Sequence, residues 1–233
     1  MKVFVYKKMI PFYATLLFLA PFLVFPKGAV LLFINSLHTP FWDWFFANYT
    51  NLGDGAFIPL VLLILLFTSK FKYTYQFVIS ALLQIGVVLL LKEVFFTHLF
   101  RPYFYFNDAV KASINFVPGV KIRYTDTFPS GHTATIFFIT TYFCLITKRK
   151  KGKFLPYVLC FLAVLVAISR VYLVQHFFID VYFGMLFGIA SAITARYIVK
   201  KYPKKWYTSK LAIVWPAQVS LSIRKVLTTL NLL

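Results

Sequence analysis

An all-α, polytopic membrane protein is the fold class this sequence predicts: a six-transmembrane-helix bundle with a short in-plane helix on its outer face. Three observations carry it. Of 233 residues, 61% are hydrophobic and only 13% charged, with a mean hydropathy of +0.78. Soluble domains run nearer half apolar and about a quarter charged. The excess is too large for one buried core and sits in long uninterrupted runs. Finally, basic residues punctuate those runs at intervals that set the number of crossings.

The net charge of +19 would suggest nucleic acid in a soluble chain, but its distribution excludes that class. Most basic residues fall in four clusters: Lys2/Lys7/Lys8, Lys70/Lys72, Lys148–Lys153 and Lys200–Lys210. A nucleic-acid binder would gather them on one folded surface, whereas clusters between apolar runs follow the positive-inside rule. They also suit anionic headgroups of the bilayer. With all four cytoplasmic, each intervening segment crosses an even number of times. Residues 154–199 as one helix would be roughly 70 Å long, against a hydrocarbon core of about 30 Å. That stretch crosses twice, turning near residues 170–176. Residues 73–147 do likewise, with a span to about Phe96, a polar outer loop and a second span from about Gly131. Residues 9–69 form the third pair. Both termini are then cytoplasmic. All six acidic residues (Asp43, Asp54, Glu93, Asp108, Asp126, Asp180) fall outside the cytoplasmic segments.

The flanking segments fit this frame. Met9–Phe25 reads as an uncleaved first span, because the run is long and no small-residue cleavage site follows. The outer segment 35–57 is rich in aromatics, and Thr39-Pro40 reads as an N-cap with proline at the first helical position. A short in-plane helix is predicted there. Residues 1–205 form one six-span domain without internal repeats. Residues 206–233, where Val219, Ile223, Val226/Leu227 and Leu230 recur at helical spacing, read as an interfacial tail. Cys144 and Cys160 lie in apolar stretches, with neither metal nor disulfide-framework spacing. Nothing in the sequence specifies an oligomer.

Three polar constellations fall at the outer ends of the spans: Lys92 with Arg101-Pro102; Pro129-Ser130-Gly131-His132; and Ser169-Arg170, His176 and Asp180. These are phosphate-handling parts. Ser130 caps the helix that Gly131 begins, and a helix N-terminus is a ready anion site. Guanidinium groups match the fork geometry of phosphate oxygens. His176 and Asp180, four apart, share a helical face. A carboxylate near the membrane core costs about 3 kcal/mol on insertion scales and needs a partner. Bonded to one imidazole nitrogen, it fixes the tautomer and leaves the other nitrogen free as a nucleophile. His132 then serves as general acid and base.

These blocks resemble the type 2 phosphatidic acid phosphatase (PAP2) superfamily, whose pattern runs K-x6-RP, PSGH, SR-x5-H-x3-D. Pro129–His132 and Ser169–Asp180 match fully and in order. The resemblance covers roughly Asn35 to Val199 and implies a membrane lipid phosphatase, with its site on the outer face of a bacterial plasma membrane. It implies that His176 forms a phosphohistidine, oriented by Asp180, while His132 protonates the leaving oxygen and later activates water. Lys92, Arg101, Ser130, Gly131 and Arg170 would hold the phosphate oxygens, with no metal or other cofactor. The implied partner is a phosphorylated lipid: isoprenyl diphosphate, phosphatidylglycerol phosphate, phosphatidate or lipid A. A phosphotransferase would share the intermediate but pass it to an acceptor. A non-catalytic transporter-like relative is disfavoured by the intact His132, His176 and Asp180, and the vanadium haloperoxidases that share the motif are soluble.

The first block departs from the pattern. Eight residues, not six, separate Lys92 from Arg101. An offset of seven returns to the same helical face, whereas nine turns about 900° and lands opposite. In strict register the lysine would stand at Val94. Either the helix ends between Phe96 and Leu99, which Thr97, His98 and the Arg101-Pro102 step favour, or Lys121 or Arg123 substitutes for Lys92. His38 and His98 read as interfacial polar residues, and Lys111 as either headgroup contact or loop solvation.

Overall fold

Every regular element among the described residues, 2–147 and 153–211 with positions 226, 228 and 229 beyond them, is helical in this computed structural model. The order is α1 (Lys2–Leu19), α2 (Ala29–Ser36), α3 (Pro40–Tyr49), α4 (Phe57–Thr68), α5 (Phe71–Leu90), the one-turn α6 (Pro102–Tyr105) and α7 (Asp108–Lys111), α8 (Gly131–Ile146), α9 (Leu155–Tyr172) and α10 (Phe178–Lys201). Four segments are long and apolar enough to cross a membrane: Lys7–Val24, Phe71–Phe95, Leu155–Tyr172 and Phe178–Lys201. A fifth follows if α4 and the segment Pro40–Gly53, bent by 54° at a short break, count as one. The expected span beginning at Gly131 is a helix of 16 residues. At 1.5 Å per residue that is about 24 Å, shorter than a typical hydrocarbon core.

That short helix is the centre of the molecule. α8 is buried along most of its length, from Thr133 to Leu145, and packs against α10, α9 and α5. The approach of α10 is close enough to require glycine. A Cβ on Gly184 would lie 2.8 Å from the Ser130 carbonyl oxygen, and one on Gly188 would lie 2.4 Å from that of Ala134. Ala192 and Ala195, fully buried, continue the same seam. Small residues let helix backbones touch where lipid supplies no hydrophobic drive. Outside this core, large apolar side chains such as Leu17, Phe18, Phe33, Leu63 and Leu82 are exposed, an arrangement suited to a lipid solvent rather than to water.

Polar contacts sort the helix ends. Lys8 donates to the Cys144 carbonyl (3.2 Å) and to that of Thr147, and Arg196 donates to that of Leu145. Two cations therefore sit on the orphan carbonyls at the C-terminus of α8, where the helix dipole favours them. The Tyr142 hydroxyl donates to the Tyr73 carbonyl at 2.9 Å and brings the start of α5 to the same end. At the opposite end the Ser130 amide donates to the Asp180 carbonyl at 2.9 Å, joining the starts of α8 and α10.

α3 begins where the sequence predicts a helix start. The Thr39 hydroxyl accepts from the Trp42 amide at 3.3 Å, with Pro40 in the first turn. Its aromatics stack along one face, and Phe46 meets Tyr172 of α9 at 4.8 Å between ring centroids. Residues 205–208 form a turn whose Trp206 packs on Tyr75 of α5. Most of the remainder of the predicted tail, including Val219, Ile223, Leu227 and Leu230, lies outside the described residues, as does the basic stretch 148–152.

Candidate active site

The end of α5 resolves the irregular first block. After Leu90 the helix widens into one π turn, Leu91–Phe95, closed by the Phe96 amide on the Leu91 carbonyl at 2.7 Å. A π turn takes an extra residue for the same advance, and the chain then leaves helical geometry at Phe96. Lys92 and Arg101 therefore share no helix, and helical faces do not set their relative positions. Instead both reach the carbonyl of Asp126: the Lys92 ammonium donates at 2.6 Å and an Arg101 Nη at 3.3 Å. Lys92 is brought beside Arg101; Lys121 and Arg123 are exposed on the loop, with the Arg123 charge near enough to act on Arg101.

Arg101 is held in place by its other donors. Its Nε donates to the Thr125 carbonyl (2.7 Å) and one Nη to the Gln175 carbonyl (2.9 Å). The same Nη lies 3.2 Å from Nε2 of His176. Burial, then the neighbouring Arg123, lowers the guanidinium to a pKa of about 10. It still carries its charge at neutral pH.

His176 is 2% exposed and sits in the turn between α9 and α10, its amide donating to the Arg170 carbonyl. Its Nδ1 lies 3.4 Å from the Asp180 carboxylate and 3.4 Å from the Thr127 hydroxyl. A guanidinium only donates, so the Nε2 facing it must accept, and the proton belongs on Nδ1 toward Asp180. Burial, and then Arg101, Arg170, Lys92 and His132, push the imidazole well below its ordinary pKa. A neutral ring with its lone pair on Nε2 follows. The carboxylate is itself pinned: the Thr127 hydroxyl and the Phe177 amide (2.9 Å) donate to the same oxygen.

Ser130 caps α8, its hydroxyl accepting from the Thr133 hydroxyl at 3.0 Å. A Cβ built on Gly131 would meet nothing within 4 Å, which leaves the first turn of α8 open. His132 follows one residue later, Nε2 3.8 Å from Asp54. Arg170 is 5% exposed and donates through one Nη to the Thr50 hydroxyl at 2.8 Å, but its Nε has no partner among the described residues. Buried donors are rarely left unmade. A buried guanidinium with a spare N–H, beside a second one and an ammonium, is arranged to receive an anion. No group of three or more His, Cys, Asp or Glu suited to a metal occurs among the described residues.

The predicted site residues thus converge at one end of the bundle, whereas His38 and His98 are exposed and Lys111 pairs with Asp108 at 3.1 Å. Thr127, Asp54, Thr50 and Gln175 also belong to the site and were not singled out from the sequence. Thr127 stands two residues before Pro129 and could have been found by extending that block. Thr50 and Asp54 are remote in the chain and carry no motif.

The family model described as the PAP2 superfamily matches residues 72–204, more than half of the chain. The chain belongs to the PAP2 superfamily. Among solved structures, this PAP2 protein is similar to LpxE of Aquifex aeolicus, with 27% identity, a TM-score of 0.62, and 77% of this chain and 98% of that one covered. It also shares its fold with a transmembrane PAP2-type phosphatidylglycerolphosphate phosphatase from Bacillus subtilis. That match has 23% identity and a TM-score of 0.54, and covers 85% and 98% of the two chains. No curated protein sequence matches it. With four or more membrane-length apolar helices and these neighbours, it is an integral membrane protein.

Proposed function

We propose that this PAP2 protein is a membrane lipid phosphatase that works through a phosphohistidine, without metal or other cofactor. The observation that carries the proposal is the pairing of His176 with two buried guanidiniums: a neutral imidazole aims its lone pair beside Arg101, while Arg170 holds an unused N–H. In the first step Nε2 of His176 forms a bond to phosphorus, and the ester or anhydride bond to the lipid oxygen breaks. His132 gives that oxygen its proton. In the second step water attacks phosphorus, His132 takes a proton from it, the P–N bond breaks and inorganic phosphate leaves. Arg101, Arg170, Lys92, the Ser130 hydroxyl and the Gly131 amide offset the charge spread over the phosphoryl oxygens, which metal ions manage in other phosphoryl-transfer sites.

The proposal includes the topology. α1, α4, α5, α8, α9 and α10 make six spans, with α8 short because its N-terminus ends at the site rather than at the membrane surface. Residues 1–205 form this domain, both termini are cytoplasmic, and residues 206–233 follow as an interfacial tail. α3 lies in the plane of the outer face of a bacterial plasma membrane. A reporter fused after Lys150 should be cytoplasmic and one near Asn107 should not. The reverse would put the site on the wrong face.

The substrate is one of the lipids the family resemblance implies: isoprenyl diphosphate, phosphatidylglycerol phosphate, phosphatidate or lipid A. The test is release of inorganic phosphate by purified protein from each of the four in turn. A phosphorylated acceptor with no free phosphate would make the protein a phosphotransferase instead. Within the site, Lys92→Ala should lower kcat/KM at least about tenfold, or ~1.4 kcal/mol. An unchanged rate would hand the role to Lys121 or Arg123.

A further inference from the structure

We infer that the turn Thr50–Asp54 is a fourth block of the active site, and that Asp54 is a positioning residue for His132, as Asp180 is for His176. The inference rests on the phosphatase reading above and assigns a role to a segment that reading does not use.

The turn is pressed against both catalytic helices. It is a 3-10 turn at the bend between α3 and α4. A Cβ on Gly53 would lie 2.8 Å from the His132 carbonyl oxygen and 2.8 Å from a methyl of Val166, so a residue without a side chain is needed where the turn crosses α8 and α9. On one side of that contact the buried Thr50 hydroxyl accepts from Arg170 at 2.8 Å. On the other, Oδ2 of Asp54 lies 3.8 Å from Nε2 of His132. The carboxylate is oriented by its other oxygen, which accepts the Ala56 amide at 2.8 Å. A separation of 3.8 Å is longer than a hydrogen bond but within reach of charge, and catalytic contacts commonly tighten when substrate is present.

The charges facing His132 are Arg170 from α9, Arg101 and Arg123 from the outer loop, and Asp54 from this turn, with the neighbouring His176 beyond them. Asp54 is the carboxylate in that set. A carboxylate beside an imidazole does two things. It draws the Nε2–H toward itself, which turns Nδ1 toward the phosphate. It also opposes the burial and the Arg170 charge that disfavour the protonated ring, the form that donates to the departing lipid oxygen. A purely structural Asp54 would only hold the Ala56 amide.

Asp54→Asn separates the two, since the amide oxygen can still accept from Ala56 while the charge is gone. Asp54→Ser does the same with a smaller side chain, and serves if the first variant does not accumulate. We expect kcat on the preferred lipid phosphate to fall at least about tenfold, part of the ~10²–10⁴ that general acid–base catalysis supplies. KM should stay within about twofold. The alkaline limb of the kcat profile should move down by about 0.5–1 unit, because a general acid without its carboxylate loses its proton at lower pH. Asp54→Glu should restore the limb. An unchanged kcat, or a lower kcat with the limb unmoved, overturns the positioning role. Phosphate release by the wild type, and its loss in His176→Ala, test the underlying reading separately.

Discussion

His176→Ala should abolish inorganic phosphate release from every lipid on the panel, a loss of at least about four orders of magnitude, while the protein still inserts and still binds phosphate. The reason lies in how the cations are held. Arg101 keeps its bonds to the Thr125, Asp126 and Gln175 carbonyls when the imidazole is removed, and Arg170 keeps Thr50. The anion site therefore survives without its nucleophile, and inorganic phosphate or vanadate should bind within about tenfold of wild type. Rapid quench with a radiolabelled lipid phosphate should trap an acid-labile, base-stable phosphoryl group on the wild type and none on the variant. Turnover by His176→Ala near the wild-type rate would mean that water attacks phosphorus directly.

Asp180→Asn should lower kcat about 10²–10³-fold with little change in KM, the scale of losing one preorganised electrostatic contact in a dry site. Attack by Nε2 with the proton held on Nδ1 leaves a positively charged phosphoimidazole. The Asp180 carboxylate is the anion beside that nitrogen, and it is aimed by Thr127 and Phe177. Asparagine can keep the same oxygen in the same place, so the ring orientation persists and only the charge is lost. Steady-state kinetics beside a thermal unfolding curve in detergent separates this from misfolding. A variant that unfolds normally and keeps kcat within about threefold would show that the carboxylate only positions the ring.

Much of the fold could be read because its signals are local. Apolar runs between lysine clusters gave the helix order. Thr39-Pro40 gave the start of α3, and Ser130-Gly131 the start of α8, since capping depends on a few neighbouring residues. The blocks from Pro129 to His132 and from Ser169 to Asp180 were legible because each is contiguous in the chain, one at the start of α8 and the other across the turn from α9 to α10. The reach of Lys92 was not. Its convergence with Arg101 depends on a π turn at Leu91–Phe95, which no residue type announces, and on an Asp126 carbonyl contributed from the far side of the outer loop. Thr50 and Asp54 were hidden for a related reason. Each is a lone polar residue, and its function exists only because Gly53 lets a distant turn settle onto α8. The depth of α8 was equally hidden, since a largely apolar helix of 16 residues looks alike whether it faces lipid or helices.

The contact of α10 with α8 has a mechanical consequence. Gly184 and Gly188 put one backbone directly on the other, and the Ser130 amide clasps the Asp180 carbonyl where both helices begin. Sliding or parting them would break main-chain contacts for which no side chain can substitute. A molecule as bulky as a lipid must nevertheless get in and its remnant must get out. Any movement that admits it has to come from elements outside this seam. The two imidazoles are therefore carried on a frame that cannot come apart along that seam.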